Sequence, residues 1–126
     1  MDLRIQDQTA TAVERQAVDA VLGPPESAWA GAERNETDGH FARGGHAARS
    51  QRHLLLPTLH AVQAGVGWIS PGALGYICRR LTIPPAEAYG VASFYALFAM
   101  EPRPPLVTHV CTDIACMCRG SNELVA

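Results

Sequence analysis

Apolar residues recur along this chain at two different periods, and the change of period divides it. Val13, Ala17, Val18, Val21 and Leu22 follow helical spacing. Thr11-Ala-Val-Glu14 in front of them has the form of a capping box, and Gly23-Pro24-Pro25 follows, so a short amphipathic helix is predicted from about Thr11 to Leu22. Leu54, Leu55, Leu56, Leu59, Val62 and Val66 line a second apolar stripe, with Pro57 tolerated in its first turn and Gly65 and Gly67 as stop signals. Ser70-Pro71 opens a third helix, a capping hydroxyl followed by proline at the first helical position, whose buried face is Leu74, Ile77, Cys78 and Leu81. Arg79 and Arg80 fall in its last turn, where the helix dipole favours cations. Pro84-Pro85 starts a fourth, with Ala88, Val91, Ala92, Tyr95 and Phe98 on its apolar side. The three helices between residues 51 and 104 predict a small bundle with a face too large to leave wet.

Beyond Glu101-Pro-Arg-Pro-Pro105 the period becomes two. Leu106-Val-Thr-His-Val110 reads as a β-strand aimed at Cys111, and Ala115 to Ala126 reads as a helix. The fold class is therefore mainly α: a helical bundle, then the first strand and helix of an α/β unit. Residues 23–50 show no periodicity, and the glycine-rich stretch from Gly39 to His46 predicts a linker or partner-wrapping segment. The expected organisation is an N-terminal extension with one short helix and a flexible linker over 1–50, a bundle over 51–104, and the start of a further domain over 105–126.

Composition narrows the function classes. The 126 residues suffice for one ordinary domain or two very small ones, and 48% apolar content is that of a globular protein. A net charge of −2 argues against nucleic acid as the main partner. The charge is uneven: residues 1–38 hold eight acids against three arginines, and the remainder seven arginines against four acids. No apolar run approaches the ~18 residues of a membrane span, which excludes direct membrane insertion. The N-terminus lacks the basic start and apolar core of a secretion signal, so a cytoplasmic location is expected, with any membrane association made through a complex. In that setting the four cysteines read as reduced thiols or metal ligands rather than structural disulfides.

Cys111 and Cys116 stand where the predicted strand gives way to the predicted helix. The loop between them allows both thiolates to reach one face, and N–H groups at a helix start would stabilise an anionic cluster there. C-x4-C alone is a weak signal, and the pair also fits two ordinary buried thiols. Zinc would use closer-spaced ligands, and His109, on the same predicted face as Cys111, is the one nearby histidine. Cys118 departs from the plant-type ferredoxin spacing C-x4-C-x2-C and, two positions past Cys116 on a helix, would face away. Cys78 lies mid-stripe and reads as a core thiol. Arg119 is close enough in sequence to add positive charge. Trp29 is a candidate partner anchor, and Trp68 a packing residue. No Ser/His/Asp set, phosphate-binding loop, dinucleotide fingerprint or carboxylate pair is present, so no catalytic residue is assigned and the chain is not expected to bind NAD or do bond chemistry by itself.

From Leu54 onward the chain resembles the E subunit of bacterial NADH–quinone oxidoreductase (complex I), a thioredoxin-like 2Fe–2S ferredoxin family. The resemblance rests on Leu56-Pro57-Thr-Leu-His-Ala-Val-Gln63, Gly67-Trp-Ile-Ser70, Pro85-Ala-Glu87, Tyr89-Gly-Val-Ala-Ser-Phe-Tyr95 and Cys111-x4-Cys116. It covers roughly the last 70 residues, the scale of a small domain. It implies a helical bundle followed by a thioredoxin-like α/β domain, with Cys111 and Cys116 as the first ligand pair of one 2Fe–2S cluster. An all-cysteine centre needs four thiolates. The family's second pair, a C-x3-C, has no counterpart here, which implies a fragment with an incomplete α/β domain: a truncated gene product, a partial chain or the front of a longer E–F fusion. The resemblance also implies a component of a multisubunit oxidoreductase rather than an enzyme that is catalytic alone. The implied partner is an F-type subunit or fused domain that carries FMN and NADH, within a respiratory or dehydrogenase complex. Small subunits of NAD-dependent formate dehydrogenases and NAD-linked hydrogenases are related alternatives, and a cluster-free docking fragment is a third.

Overall fold

Helix caps written in the sequence place most of the elements. The structure is a computed structural model, and it describes residues 8–25 and 50–126. The linker expected around Gly39 to His46 and the anchor expected at Trp29 lie outside the described residues. Helix α1 spans Ala12–Leu22; the Glu14 N–H donates to Thr11 Oγ1 at 3.3 Å and the Thr11 N–H to Glu14 Oε2 at 2.7 Å, completing the capping box. Gly23 ends it at φ 81°, a conformation that suits glycine. A 3₁₀ turn at Arg52–Leu54 leads into α2, Leu55–Val66, which closes on left-handed Gly67. Helix α3, Pro71–Leu81, is capped by Ser70, whose Oγ accepts from the Ala73 N–H at 3.0 Å. Helix α4 covers Pro85–Phe94.

These four helices share one core. Leu59, Val62, Leu74, Ile77 and Leu81 are fully buried, as the helical spacing predicts, and Val18 from α1 joins them. Helix α1 packs chiefly on α2 and more lightly on α3. The stripe on α3 is therefore closed by the chain's own helices. Two small residues bring α1 close to α2, with Ala17 Cβ in ordinary contact with the space a side chain at Gly65 would enter. Gly72 is more demanding. A Cβ there would stand 2.7 Å from the Thr9 carbonyl oxygen, so the segment entering α1 lies directly on the first turn of α3.

Polar contacts fix α1 in place. Ser70 donates to Glu14 Oε1 at 2.5 Å, so the capping glutamate of α1 also engages the capping serine of α3. Tyr76 donates to Asp19 Oδ1 at 2.9 Å, and Arg80 forms an ion pair with the same carboxylate and donates to the Gly23 carbonyl at 2.5 Å. The Arg15 and Arg80 guanidiniums lie 5.8 and 5.6 Å from the centre of the Tyr76 ring, adding cation–π attraction. Gln63 ties down the turn after α4, donating to the Leu97 carbonyl at 2.5 Å and accepting from the Ala99 N–H at 2.6 Å.

Past residue 101 two expectations are corrected. The segment Leu106–Val110 forms no β-strand: no second strand exists among the described residues, and a strand is held by hydrogen bonds to a neighbour. The helix expected over 115–126 is two short pieces, α5 at Ile114–Met117 and α6 at Ser121–Val125, broken by Gly120 at φ 86°. The described residues are mainly α, with no strand among them.

Candidate functional site

The turn from Cys111 to Cys118 is organised by one residue. Asp113 caps α5: its Oδ1 accepts from the Ile114 N–H at 2.8 Å, and its carbonyl accepts from the Cys116 N–H at 2.9 Å and the Met117 N–H at 2.8 Å. These bonds fold the chain back so that Cys116, on α5, faces Cys111 just ahead of it. The two side chains lie close enough to interact. Both lie open to solvent rather than in apolar pockets, Cys111 fully exposed and Cys116 partly so.

The pairing separates the two thiols chemically. The Asp113 backbone N–H donates to the Cys111 sulfur and, with the Cys116 thiol, holds the Cys111 pKa below the ordinary thiol value. The same contact shifts Cys116 upward. Two neighbouring solvent-exposed sulfurs on one turn are a natural pair of ligands for a thiophilic metal. Arg119, expected to contribute charge, takes no part in either shift.

The other candidates stay apart from the pair. Cys118 ends α5 through its backbone, its N–H reaching the Ile114 carbonyl at 3.2 Å, with its side chain exposed. Cys78 lies in the core, and burial pushes its thiol up to about 11, as fits a packing cysteine. His109 is exposed, and among the described residues no third His, Cys, Asp or Glu gathers with two others in a metal-binding group. The donor set thus fits half of the four thiolates that an all-cysteine 2Fe–2S centre requires. Asp113 is the organising residue of this turn that spacing and periodicity pass over; an aspartate directly before Ile-Ala-Cys is a helix-start signal that points to it.

Exposed apolar groups lie at the end of α4 and just beyond it, where Phe94 is 80% and Leu97 64% exposed. Phe94 and Tyr95 meet edge-on at 5.2 Å between ring centres, and Tyr95 meets buried Phe98 at 6.1 Å. No helix among the described residues is long and apolar enough to cross a membrane.

Comparison with known proteins places this turn in context. A family model described as thioredoxin-like [2Fe-2S] ferredoxin matches residues 43–126. NADH-quinone oxidoreductase subunit 2 from Thermus thermophilus is 35% identical over 74 residues, 59% of this chain and 41% of that protein. The E subunit of NADH-quinone oxidoreductase from Rickettsia typhi is 34% identical over 76 residues, 60% of this chain and 45% of its own. NADP-reducing hydrogenase subunit HndA from Solidesulfovibrio fructosivorans is 31% identical over 71 residues, 56% and 42% respectively. The chain spans less than half the length of these relatives.

Proposed function

Since the chain belongs to the thioredoxin-like [2Fe-2S] ferredoxin family, we propose that it is an electron-transfer subunit of an NADH-dehydrogenase-type module and that Cys111 and Cys116 supply two of the four thiolates of a 2Fe–2S cluster. The observation that carries this reading is the meeting of these two thiols on the Asp113 turn, inside the matched region. Bound there, the cluster supplies a one-electron carrier. The chain's own residues do the holding. Cys111 accepts from the Asp113 N–H, which favours its thiolate form, Cys116 is positioned by its N–H bond to the Asp113 carbonyl, and the open face leaves room for the remaining ligands. Those two thiolates come from outside the 126 residues. Cys78 is buried, and Cys118 stands outside the pair.

The partner on this reading is an F-type subunit or fused domain carrying FMN and NADH, within a NADH–quinone oxidoreductase. The likeness to a hydrogenase subunit supports a second setting, a hydrogenase linked to a nicotinamide cofactor, with the same site chemistry. The cluster-free docking alternative loses Leu74 as a contact, because that side chain is buried in the chain's own core. The protein expressed from its complete reading frame and reconstituted with iron and sulfide should show 2Fe–2S visible absorption and, once reduced, an EPR signal. A colourless, EPR-silent protein after reconstitution contradicts the proposal.

A further inference from the structure

The Cys111–Cys116 pair has a second chemistry that needs no metal. Closing a protein disulfide requires that one sulfur reach another and that a co-reactant reach either. Both conditions are met here. Cys111 is exposed, Cys116 is partly exposed, and their side chains already lie close enough to interact on a turn held by the Asp113 carbonyl. The remaining cysteines each lack one condition: Cys78 is buried in the core, and exposed Cys118 is not part of the pair.

We infer that in the metal-free chain Cys111 and Cys116 form a reversible intramolecular disulfide by exchange with a low-molecular-weight disulfide such as oxidised glutathione. In the first step the Cys111 sulfur attacks one glutathione sulfur. A mixed disulfide forms, the glutathione S–S bond breaks, and one glutathione leaves as the thiol with the proton from Cys111. In the second step the Cys116 sulfur attacks the Cys111 sulfur. The protein disulfide forms, the mixed disulfide breaks, and the second glutathione leaves with the proton from Cys116. The two protein thiols give up two electrons, and one glutathione disulfide becomes two glutathiones. Once closed, the bond withholds both sulfurs from iron; that consequence rests on the cluster reading, whereas the bond itself does not.

The test treats the reduced, metal-free 126-residue chain carrying Cys118→Ser with oxidised glutathione, then alkylates and maps peptides by mass spectrometry. The expected result is loss of two of the three remaining thiols, with Cys78 still free and Cys111 and Cys116 joined in one peptide lighter by two hydrogens. Dithiothreitol should restore both thiols. Adding Cys111→Ser should abolish the loop and leave a stable glutathione adduct on Cys116. Persistent adducts on both cysteines, or links between chains in place of the loop, overturn the inference. Mapping needs no iron, so a chain that closes the bond yet takes no cluster in reconstitution would overturn the cluster reading alone.

Discussion

In the bundle, Val18, Leu59, Leu74 and Ile77 are withdrawn completely from solvent, whereas beyond residue 105 Leu106, Ile114, Leu124 and Val125 all stand exposed. The two regions hold similar apolar side chains and differ in where partners can be found. A helix satisfies its own backbone, so four helices need only meet face to face to close a core. A strand has no internal hydrogen bonds and needs a neighbour, and the period-two residues after Pro105 have none among the described residues. The cysteine turn lies in the second region and owes its shape to local hydrogen bonds around Asp113 rather than to a core. Changes in the bundle should therefore alter stability, and changes in the tail should alter the site.

The sharpest break of that contrast is a charge placed in each region. Leu74→Asp buries a carboxylate among apolar groups and should abolish the cooperative thermal transition followed by circular dichroism. Leu74→Ala should cost about 2–5 kcal/mol. Leu106→Asp should shift stability by no more than about 0.5 kcal/mol, since that side chain is already in water. Equal losses at the two positions would remove the distinction between the regions.

Two glycines sharpen the account of how α1 is seated. Gly72→Ala forces its Cβ on the Thr9 carbonyl and should destabilise by about 1–3 kcal/mol, with faster amide exchange in α1. Gly90→Ala, which meets nothing within 4 Å inside α4, should stabilise by about 0.5–1 kcal/mol. Urea unfolding of the two variants checks both signs.

Acidification tests the joint between the caps of α1 and α3. Burial raises the Glu14 pKa, but hydrogen bonds from Ser70 and from the Thr11 backbone and hydroxyl outweigh it, so the folded value lies below the ordinary 4.5. The unfolded chain then takes up this proton first as pH falls. Glu14 contributes its full stability above the unfolded value and loses it as pH drops through the folded one. The urea midpoint of the parent should fall more steeply below about pH 4.5 than that of Glu14→Gln. Parallel curves would contradict the assignment.

Much of this organisation is legible in the residues. Thr11 with Glu14, Ser70 with Pro71, and Gly67 mark helix ends by local chemistry, and Cys111 with Cys116 stands out by spacing. What α1 packs against is not legible, because an amphipathic face says that it will be buried and not by what. The Gly72–Thr9 approach and the Glu14–Ser70 bond join residues more than fifty positions apart, and no local pattern announces them. The strand expected at Leu106–Val110 fails for the same reason: alternation marks a residue pattern, while a strand requires a distant partner.

A small effect is also expected at Ser121, whose hydroxyl is buried without a hydrogen-bond partner among the described residues. Ser121→Ala should leave stability unchanged or raise it by up to about 1 kcal/mol, since it removes an unsatisfied group. A clear loss in thermal unfolding would show that this hydroxyl has a partner in solution.

Iron content after reconstitution, compared across single serine variants of the protein from its complete reading frame, addresses the central claim. Cys111→Ser and Cys116→Ser should each lose most of the bound iron, while Cys118→Ser and Cys78→Ser retain it. Full iron in both Cys111→Ser and Cys116→Ser, or its loss in Cys118→Ser alone, would contradict the assignment of the paired sulfurs as cluster ligands.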